Sequence, residues 1–226
     1  MTKRKKFTLI AIGIIVLIIT FDQILKIWVK THLALGQTIP IFGHWFNLCF
    51  VENEGMAFGL SFGHNIGKLL LSILRILLVV LICWYMHRQL KRDRMNTLSL
   101  TVFSLIIAGA LGNIIDSLFY GLVFSESSIL AAASAFPEGG GYAPFFFGKV
   151  VDMFYVKLFH IPDGFPLWGG SYFFPAIFNI ADSCVTIGIF IMLIFNKKVL
   201  DFNESQSPKD NSEPTISEIE QTQIHK

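Results

Sequence analysis

The sequence predicts an all-α membrane protein: four transmembrane helices with outward-facing extramembrane loops, which leave room for a small β element and an interfacial helix. Three observations predict it. Of 226 residues, 53% are hydrophobic and only 15% charged, with a mean hydropathy of +0.60, whereas soluble domains carry roughly 25% charge. Four apolar stretches are long enough to span a bilayer core, which takes about 20 residues. Lysine and arginine gather on one side of the chain those stretches imply. An ordinary soluble enzyme and an extended disordered protein are thereby disfavoured. A net charge of +2 is too small to suggest nucleic-acid binding. Cys49, Cys83 and Cys184 form no CxxC pair, so neither a disulfide scaffold nor a zinc site is expected.

The first span is expected at about 7–29. A basic start, Lys3 to Lys6, precedes an apolar run that stays uncharged through Phe21 and continues past Asp22 and Lys26. Phe21-Asp22-Gln23 is no small-x-small cleavage site, so the segment reads as an uncleaved helix. The second span, about 66–86, carries Arg75 in its interior. The third is expected at about 97–118 and the fourth at about 175–195. Between them lie loops at about 30–65 and 119–174. The longer loop holds Pro137-Glu138-Gly139-Gly140-Gly141 and then Phe145-Phe146-Phe147. Gly and Pro mark turns, and the aromatics suit the headgroup region. Residues 1–200 read as one membrane domain, and residues 201–226, polar and poor in aromatics, as a disordered cytoplasmic tail. With the N-terminus inside, ten positive residues flank the spans on the cytoplasmic side (Lys3, Arg4, Lys5, Lys6, Arg88, Lys91, Arg92, Arg94, Lys197 and Lys198). Four fall outside: Lys30, Lys68, Lys149 and Lys157. Both termini are then cytoplasmic and the two loops face outward.

Ionisable residues inside a span are functional suspects, because hydrocarbon penalises them by a few kcal/mol. Asp22 lies 16 residues beyond Lys6, roughly 24 Å along a helix. Asp182 lies 15 residues before Lys197, roughly 22 Å. Asn113 and Asp116 lie 17 and 20 residues beyond Asn96, roughly 25 and 30 Å. Three helices therefore bring acids and amides to similar depth, toward the outer face. Asp22 and Lys26 are spaced i,i+4 and share a face. Asn113 with Asp116, and Asn179 with Asp182, repeat an i,i+3 spacing. Gly109, Ala110 and Gly112 allow close helix approach.

Two carboxylates in one water-lined site of low dielectric cannot easily both ionise, so the pair holds one proton. The charged partner serves as general base on a water, and the protonated one as general acid toward an amide carbonyl. Spacing alone leaves open whether Asp116 or the loop residue Asp152 partners Asp182.

Five stretches together resemble a known family. Asp22-Gln23-Ile24-Leu25-Lys26 resembles the DQxxK signature of the lipoprotein signal peptidases (signal peptidase II). Asn53-Glu54-Gly55-Met56-Ala57-Phe58 is similar to their NxGxAF stretch. Gly109 to Asp116 resembles their G-A-x-G-N-x-x-D-R box, Val150-Val151-Asp152-Met153 their V-V-D-[FM], and Phe178-Asn179-Ile180-Ala181-Asp182-Ser183 their F-N-x-A-D-[ST]. The motifs run in order over residues 22–183. The resemblance implies an intramembrane aspartyl peptidase of the bacterial plasma (inner) membrane. It would cut prolipoproteins on the amino side of a diacylglyceryl-modified cysteine, with its active site on the outer, periplasmic side. Asp152 and Asp182 match the catalytic pair. Asp22, Lys26, Asn53, Gly55, Asn113, Asp116, Asn179 and Ala181 match structural and substrate-positioning residues. No cofactor is implied. Prolipoproteins and membrane lipids are the expected partners, and the protein is expected to be monomeric.

Two departures stand out. The family box ends Asp-Arg, but Ser117 follows Asp116, so an expected guanidinium is missing, and Arg75 could supply it from the second helix. Residues from about 124 to 147 also look inserted before the VVD motif, where they could pack over the site or on lipid. Simpler readings exist for single residues. Asp22 with Lys26 could be only an anchoring ion pair, and Asn53 only a turn cap. Gly59-Leu60-Ser61-Phe62-Gly63 matches G-x-S-x-G, but outside the strand-to-helix turn that gives that motif meaning. The histidines show no HExxH spacing, and no metal is expected. The rival function is a subunit of a proton-coupled transporter, which would also carry intramembrane acids, though spread through the membrane depth and on repeated or broken helices.

Overall fold

A computed structural model describes residues 2–54, 64–164, 170, 172, 173 and 176–200. Its frame is a set of long apolar helices carrying a small antiparallel sheet at one end. Helix α1 (Lys3–His32) begins at Thr2, whose side chain accepts from the Lys5 amide, and ends where Leu33 turns extended. Its 30 residues span about 45 Å. Helix α2 (His64–Lys91) returns. Helix α3 (Thr97–Ile115) opens on an Asn96 cap, whose Oδ1 accepts from the Ser99 amide at 2.8 Å.

Helix α3 is the central element, packing against α1, α2 and α5 (Ile180–Ile194). Its interior side chains, including Leu100, Val102, Ile106, Ile107 and Ile114, form the main core. The other helices show lipid-like surfaces: Val16, Leu17, Leu74, Leu81, Phe190 and Leu193 all stand exposed. Apolar surface on that scale is stable only against hydrocarbon or another apolar body.

Three helical stretches are long and apolar enough to cross a membrane: Lys3–His32, Ile66–Lys91 and Thr97–Val123. The fourth expected span, about 175–195, starts later in the structure. Ile177–Phe178 is strand β4, and the helix starts only at Ile180. Its 15 residues reach about 22 Å, short of a ~30 Å hydrocarbon core, before α6 (Asn196–Leu200) follows. The physical cause is a capping box. Asn179 accepts from the Asp182 amide, and the Asp182 side chain accepts from the Asn179 amide, which fixes the helix start there. Asn179 therefore precedes the helix and does not share a helical face with Asp182.

The third span also changes character. After Ile115 the chain makes a π-turn (Asp116–Tyr120) and a last helical turn, α4 (Gly121–Val123). Ser117 Oγ donates back to the Asn113 carbonyl at 3.0 Å, a bond that competes with the regular ladder. Such single-turn widenings cluster at functional sites.

The small β element is a four-stranded antiparallel sheet ordered β1 (Thr38–Phe42), β2 (Phe46–Asn53), β3 (Val150–Val156), β4. In its register Val51 faces Asp152 and Asn53 faces Val150. A second core of Val29, Phe50, Tyr120, Phe124, Val151 and Met153 seats this sheet on the end of α1. The insert folds back on the same end. Ala133 N donates to the Lys30 carbonyl, and Tyr142 N to the Phe124 carbonyl. An interfacial helix in the two loops has no counterpart among the described residues. Gly55 and the tail at 201–226 lie outside those residues.

The closest helix approach depends on glycine. A Cβ on Gly109 would stand 2.3 Å from the Ala181 carbonyl oxygen, and one on Gly112 would stand 2.7 Å from Asp22 Oδ2. Gly109→Ala must push α3 and α5 apart. We expect it to destabilise the protein by about 1–3 kcal/mol, measured as a lower thermal midpoint in detergent; an unchanged midpoint would refute this packing.

Candidate active site

Three elements converge above the α3 core: the last third of α1, the end of α3 with its π-turn, and the start of α5. Strand β3 closes the fourth side. At the centre lies Lys26, fully buried. Its Nζ lies 2.8 Å from Asp22 Oδ2, 2.8 Å from Asp116 Oδ2 and 2.8 Å from Asn113 Oδ1. An ammonium has three protons, and each finds an acceptor. Asp22 and Asp116 are buried as completely as the lysine.

Each acid is used again. Asp22 Oδ1 accepts from the Ala181 amide at 3.0 Å, tying α1 to the first turn of α5. Carboxylates belong at helix starts, where amides lack helical partners. Asp116 Oδ1 accepts from Gln23 Nε2 at 2.8 Å, and its Oδ2 from the Val151 amide at 3.3 Å. Gln23 Oε1 in turn accepts from the Tyr120 hydroxyl at 3.1 Å. The ion pair expected between Asp22 and Lys26 is thus present, inside a larger network.

From Lys26 the hydrogen bonds lead outward. With its Oδ1 held by the lysine, Asn113 turns its Nδ2 to Asp182 Oδ1 at 2.7 Å. Asn179 Nδ2 donates to Asp152 Oδ1 at 2.7 Å, and Asn179 Oδ1 accepts from the Asp182 amide at 2.8 Å. One amide side chain therefore touches both the strand acid and the helix acid. Asn53 Nδ2 donates to the remaining oxygen of Asp152 at 3.2 Å. Asp152 is buried, whereas Asp182 is half-buried and marks the open side. Burial first, and the neighbouring charge of Asp182 second, push the Asp152 carboxyl up to about 7, against the opposing bonds from Asn53 and Asn179.

The site residues expected from the sequence fall as follows. Asp22, Lys26, Asn113, Asp116, Asn179, Ala181 and Asp182 meet at one place, and Asn53 and Asp152 join through the sheet. Asp116 is bound to Lys26 and Gln23, away from the Asp152–Asn179–Asp182 path. Arg75 interacts electrostatically with Asp182, Asp116 and Asp152, most strongly with the first. Gly55 is not among the described residues. Sequence reasoning missed Gln23 and Tyr120, although Gln23 stands beside Asp22 in the motif. It also missed Lys30, fully buried and paired with Glu52. The spacing of 22, 26 and 30 on one helix face was the available signal. Among the described residues no cluster of three or more His, Cys, Asp or Glu could hold a metal ion.

Comparison with known proteins places the chain in a family. Residues 14–197 match the family described as signal peptidase (SPase) II. The chain is 45% identical over 217 residues to a lipoprotein signal peptidase of Porphyromonas gingivalis, covering 91% of this chain and 93% of that protein. It is 33% identical over 216 residues to the lipoprotein signal peptidase of Amoebophilus asiaticus, covering 93% and 86%. A solved structure described as a bacterial membrane enzyme aligns with a TM-score of 0.54 at 26% identity, over 81% of this chain and 90% of that one.

The Lys26 node sets the stability of the site. Removing one partner of a buried ionic cluster is destabilising by about 3–5 kcal/mol. Lys26→Met is expected to lose that much, read from denaturant or thermal unfolding in detergent, because Asp22 and Asp116 would remain buried without their cation. A loss below about 1 kcal/mol would show the cluster to be unimportant for folding.

Proposed function

The chain belongs to the signal peptidase II family, a membrane protease that removes signal peptides from prolipoproteins, and we propose that it does so as an aspartic endopeptidase whose reacting groups are Asp152 and Asp182. The scissile bond is the one on the amino side of a diacylglyceryl-modified cysteine. The observation that carries this reading is the Asp152–Asn179–Asp182 arrangement, with Asp152 raised to about 7 by burial and by its neighbour.

The chemistry follows from one shared proton. Near neutral pH the proton resides on Asp152, the more buried acid. Asp182 accepts from Asn113 Nδ2 and from the Asn179 amide, and in this reading it is the ionised partner. Asp182 removes a proton from water as the water oxygen bonds to the scissile carbonyl carbon, and Asp152 gives its proton to the carbonyl oxygen. The gem-diol then collapses. Asp152 takes a proton back from a diol hydroxyl, Asp182 delivers its proton to the departing amine, and the C–N bond breaks. Both acids end as they began.

The remaining residues orient. Asn53 and Asn179 hold Asp152, Asn113 holds Asp182, and Asp22 and Lys26 fix the frame in which Asn113 sits. Asp116 is a structural acid in this reading, since both of its oxygens are occupied by Lys26, Gln23 and Val151. Arg75 supplies the guanidinium that Ser117 lacks, as its attraction to Asp182 supports. Gly55, outside the described residues, keeps the substrate-positioning role that the family motif gives it. The helices α1, α2 and α3 cross the bacterial inner membrane, and α5 with α6 completes a fourth crossing. Residues 1–200 then form one peptidase domain, with both termini cytoplasmic and the site toward the periplasm. The lipid chains of the substrate start in the bilayer, so they position the cleavage site more than they drive binding, and the enzyme acts as a monomer. Family membership removes the reason for a proton-coupled transporter.

Two tests follow. Asp152→Asn and Asp182→Asn should each lower turnover of a diacylglyceryl-modified prolipoprotein by several orders of magnitude while the protein stays folded, because the pair acts as a unit. Retained turnover in Asp152→Asn with loss in Asp116→Asn would reassign the partner. Arg75→Lys should keep expression but lose at least about tenfold in turnover, since an ammonium does not reproduce a planar fork; full activity would remove Arg75 from the site. The raised Asp152 also has a signed consequence. Below pH about 7 the acid carries the required proton, and above it the proton is lost. Cleavage should therefore fall as pH rises through that value.

A further inference from the structure

A second buried polar cluster lies behind the sheet, and the reaction above does not use it. Lys30 is fully buried. Its ammonium pairs with Glu52 Oε1 and lies 2.8 Å from Ser127 Oγ. Ser127 Oγ donates to the same Glu52 oxygen at 2.8 Å. Lys149 approaches the other oxygen, Glu52 Oε2, at 3.7 Å and pairs with Glu126 at 2.8 Å. The Tyr142 ring lies under both ammonium groups, 4.9 Å from Lys30 and 5.4 Å from Lys149, and its hydroxyl accepts from the Lys149 amide at 2.6 Å. A serine beside a buried lysine suggests a nucleophile with its base, but here the serine accepts from the lysine and donates to Glu52, so its hydroxyl hydrogen does not face the lysine as a base.

The cluster's place in the chain gives it another role. Glu52 precedes Asn53, which donates to Asp152, and it faces Val151, the residue before Asp152, across the β2–β3 ladder. Lys149 is three residues before Asp152 on the run into the same strand. Ser127, Glu126 and Tyr142 all belong to the insert at 124–147, and Gly148 closes it so tightly that a Cβ there would stand 2.0 Å from the Asp116 carbonyl oxygen. The insert is thus joined to β2 by the Ser127–Glu52 hydrogen bond, to the run into β3 by the Glu126–Lys149 ion pair, and the glycine that follows it lies against the turn that carries Asp116.

We propose that the Lys30–Glu52–Ser127–Tyr142 cluster is a positioning device, through which the insert holds Asn53 and Asp152 in register with Asp182. Glu52 and Lys30 are positioning residues, since neither touches the reacting acids. The proposal rests on Asp152 being one of the reacting pair. A peptidase of this kind needs its strand acid fixed against its helix acid. Apolar packing seats β2 and β3 on the end of α1, and the polar contacts of Glu52 and Lys149 add a directional tie from both strands to the covering insert.

The test separates holding the fold together from holding the site in place. Glu52→Gln and Lys30→Met each orphan a buried charge and are expected to lower both the thermal midpoint and turnover. Lys30→Met combined with Glu52→Leu removes the pair without leaving a charge behind, and such replacements commonly preserve stability. On the full chain in detergent, with a diacylglyceryl-modified prolipoprotein as substrate, this double variant should recover the thermal midpoint. Its turnover should still be reduced at least tenfold at near-constant KM, and the alkaline limb of its pH profile should move to lower pH as Asp152 loosens from its buried seat between Asp182, Asn53, Asn179 and the more distant Lys26. Tyr142→Phe, which keeps the ring and loses only the acceptor for the Lys149 amide, should show a smaller change of the same sign. A double variant with wild-type turnover and pH profile would overturn the proposal and leave the cluster a folding element. Asp152→Asn is run beside it: retained activity there would sink the two-aspartate reading itself, a different failure.

Discussion

The site depends on one interaction, the burial of the Lys26 ammonium among acceptors drawn from two helices. An isolated ion in that position would be prohibitively unfavourable. Three acceptors at 2.8 Å make it tolerable, and they do so only if α1 and α3 stand at the distance and rotation observed. That requirement explains the glycines. Gly112 leaves room for the Asp22 carboxylate against α3, and Gly109 lets the Ala181 carbonyl approach. The same requirement reaches α5, because Asp22 spends its second oxygen on the Ala181 amide. One buried cation therefore sets the positions of three helices.

Orientation passes outward from that node. Lys26 holds the oxygen of Asn113, which leaves only the amide nitrogen to face Asp182. Asn179 divides its side chain between a helix cap and the strand acid, so the start of α5 and the register of β3 are linked through one amide. The sheet supplies what the helices cannot. An acid carried on β3 can sit beside the first turn of α5 without needing a helix of its own in the membrane. The chemistry assigned to Asp152 and Asp182 uses this difference of environment, a deeply buried acid facing a half-buried one.

Much of this was legible in the sequence, for physical reasons. Charges in apolar runs are improbable enough to announce themselves, and the i,i+4 spacing of Asp22 and Lys26 placed both on one face before any coordinates. Small residues at Gly109 and Gly112 marked the close approach. The i,i+3 echo of Asn113–Asp116 in Asn179–Asp182 was misleading. The first pair lies at the end of a helix running into a π-turn, whereas the second is a capping box, and the two share a spacing without sharing a geometry. That difference also shortened the fourth apolar helix. Asp152 could be selected only by motif, because its place depends on the β2–β3 register, a pairing between residues about a hundred positions apart. The role of the insert was not legible. Its residues Glu126, Ser127 and Tyr142 make sense only once Lys30 is seen to be buried beside them.

The most direct test of the account is the protonation of Asp152 itself, free of turnover. Isotope-edited infrared spectroscopy of aspartate carboxyls in the purified protein, titrated against pH, resolves a protonated carboxyl from an ionised one. A protonated band should persist until pH about 7, vanish in Asp152→Asn, and disappear at lower pH in Asp182→Asn, where the neighbouring negative charge is gone. A wild-type band that titrates away near the ordinary aspartate value of about 3.9, or that survives in Asp152→Asn, would contradict the shared-proton pair on which the mechanism stands.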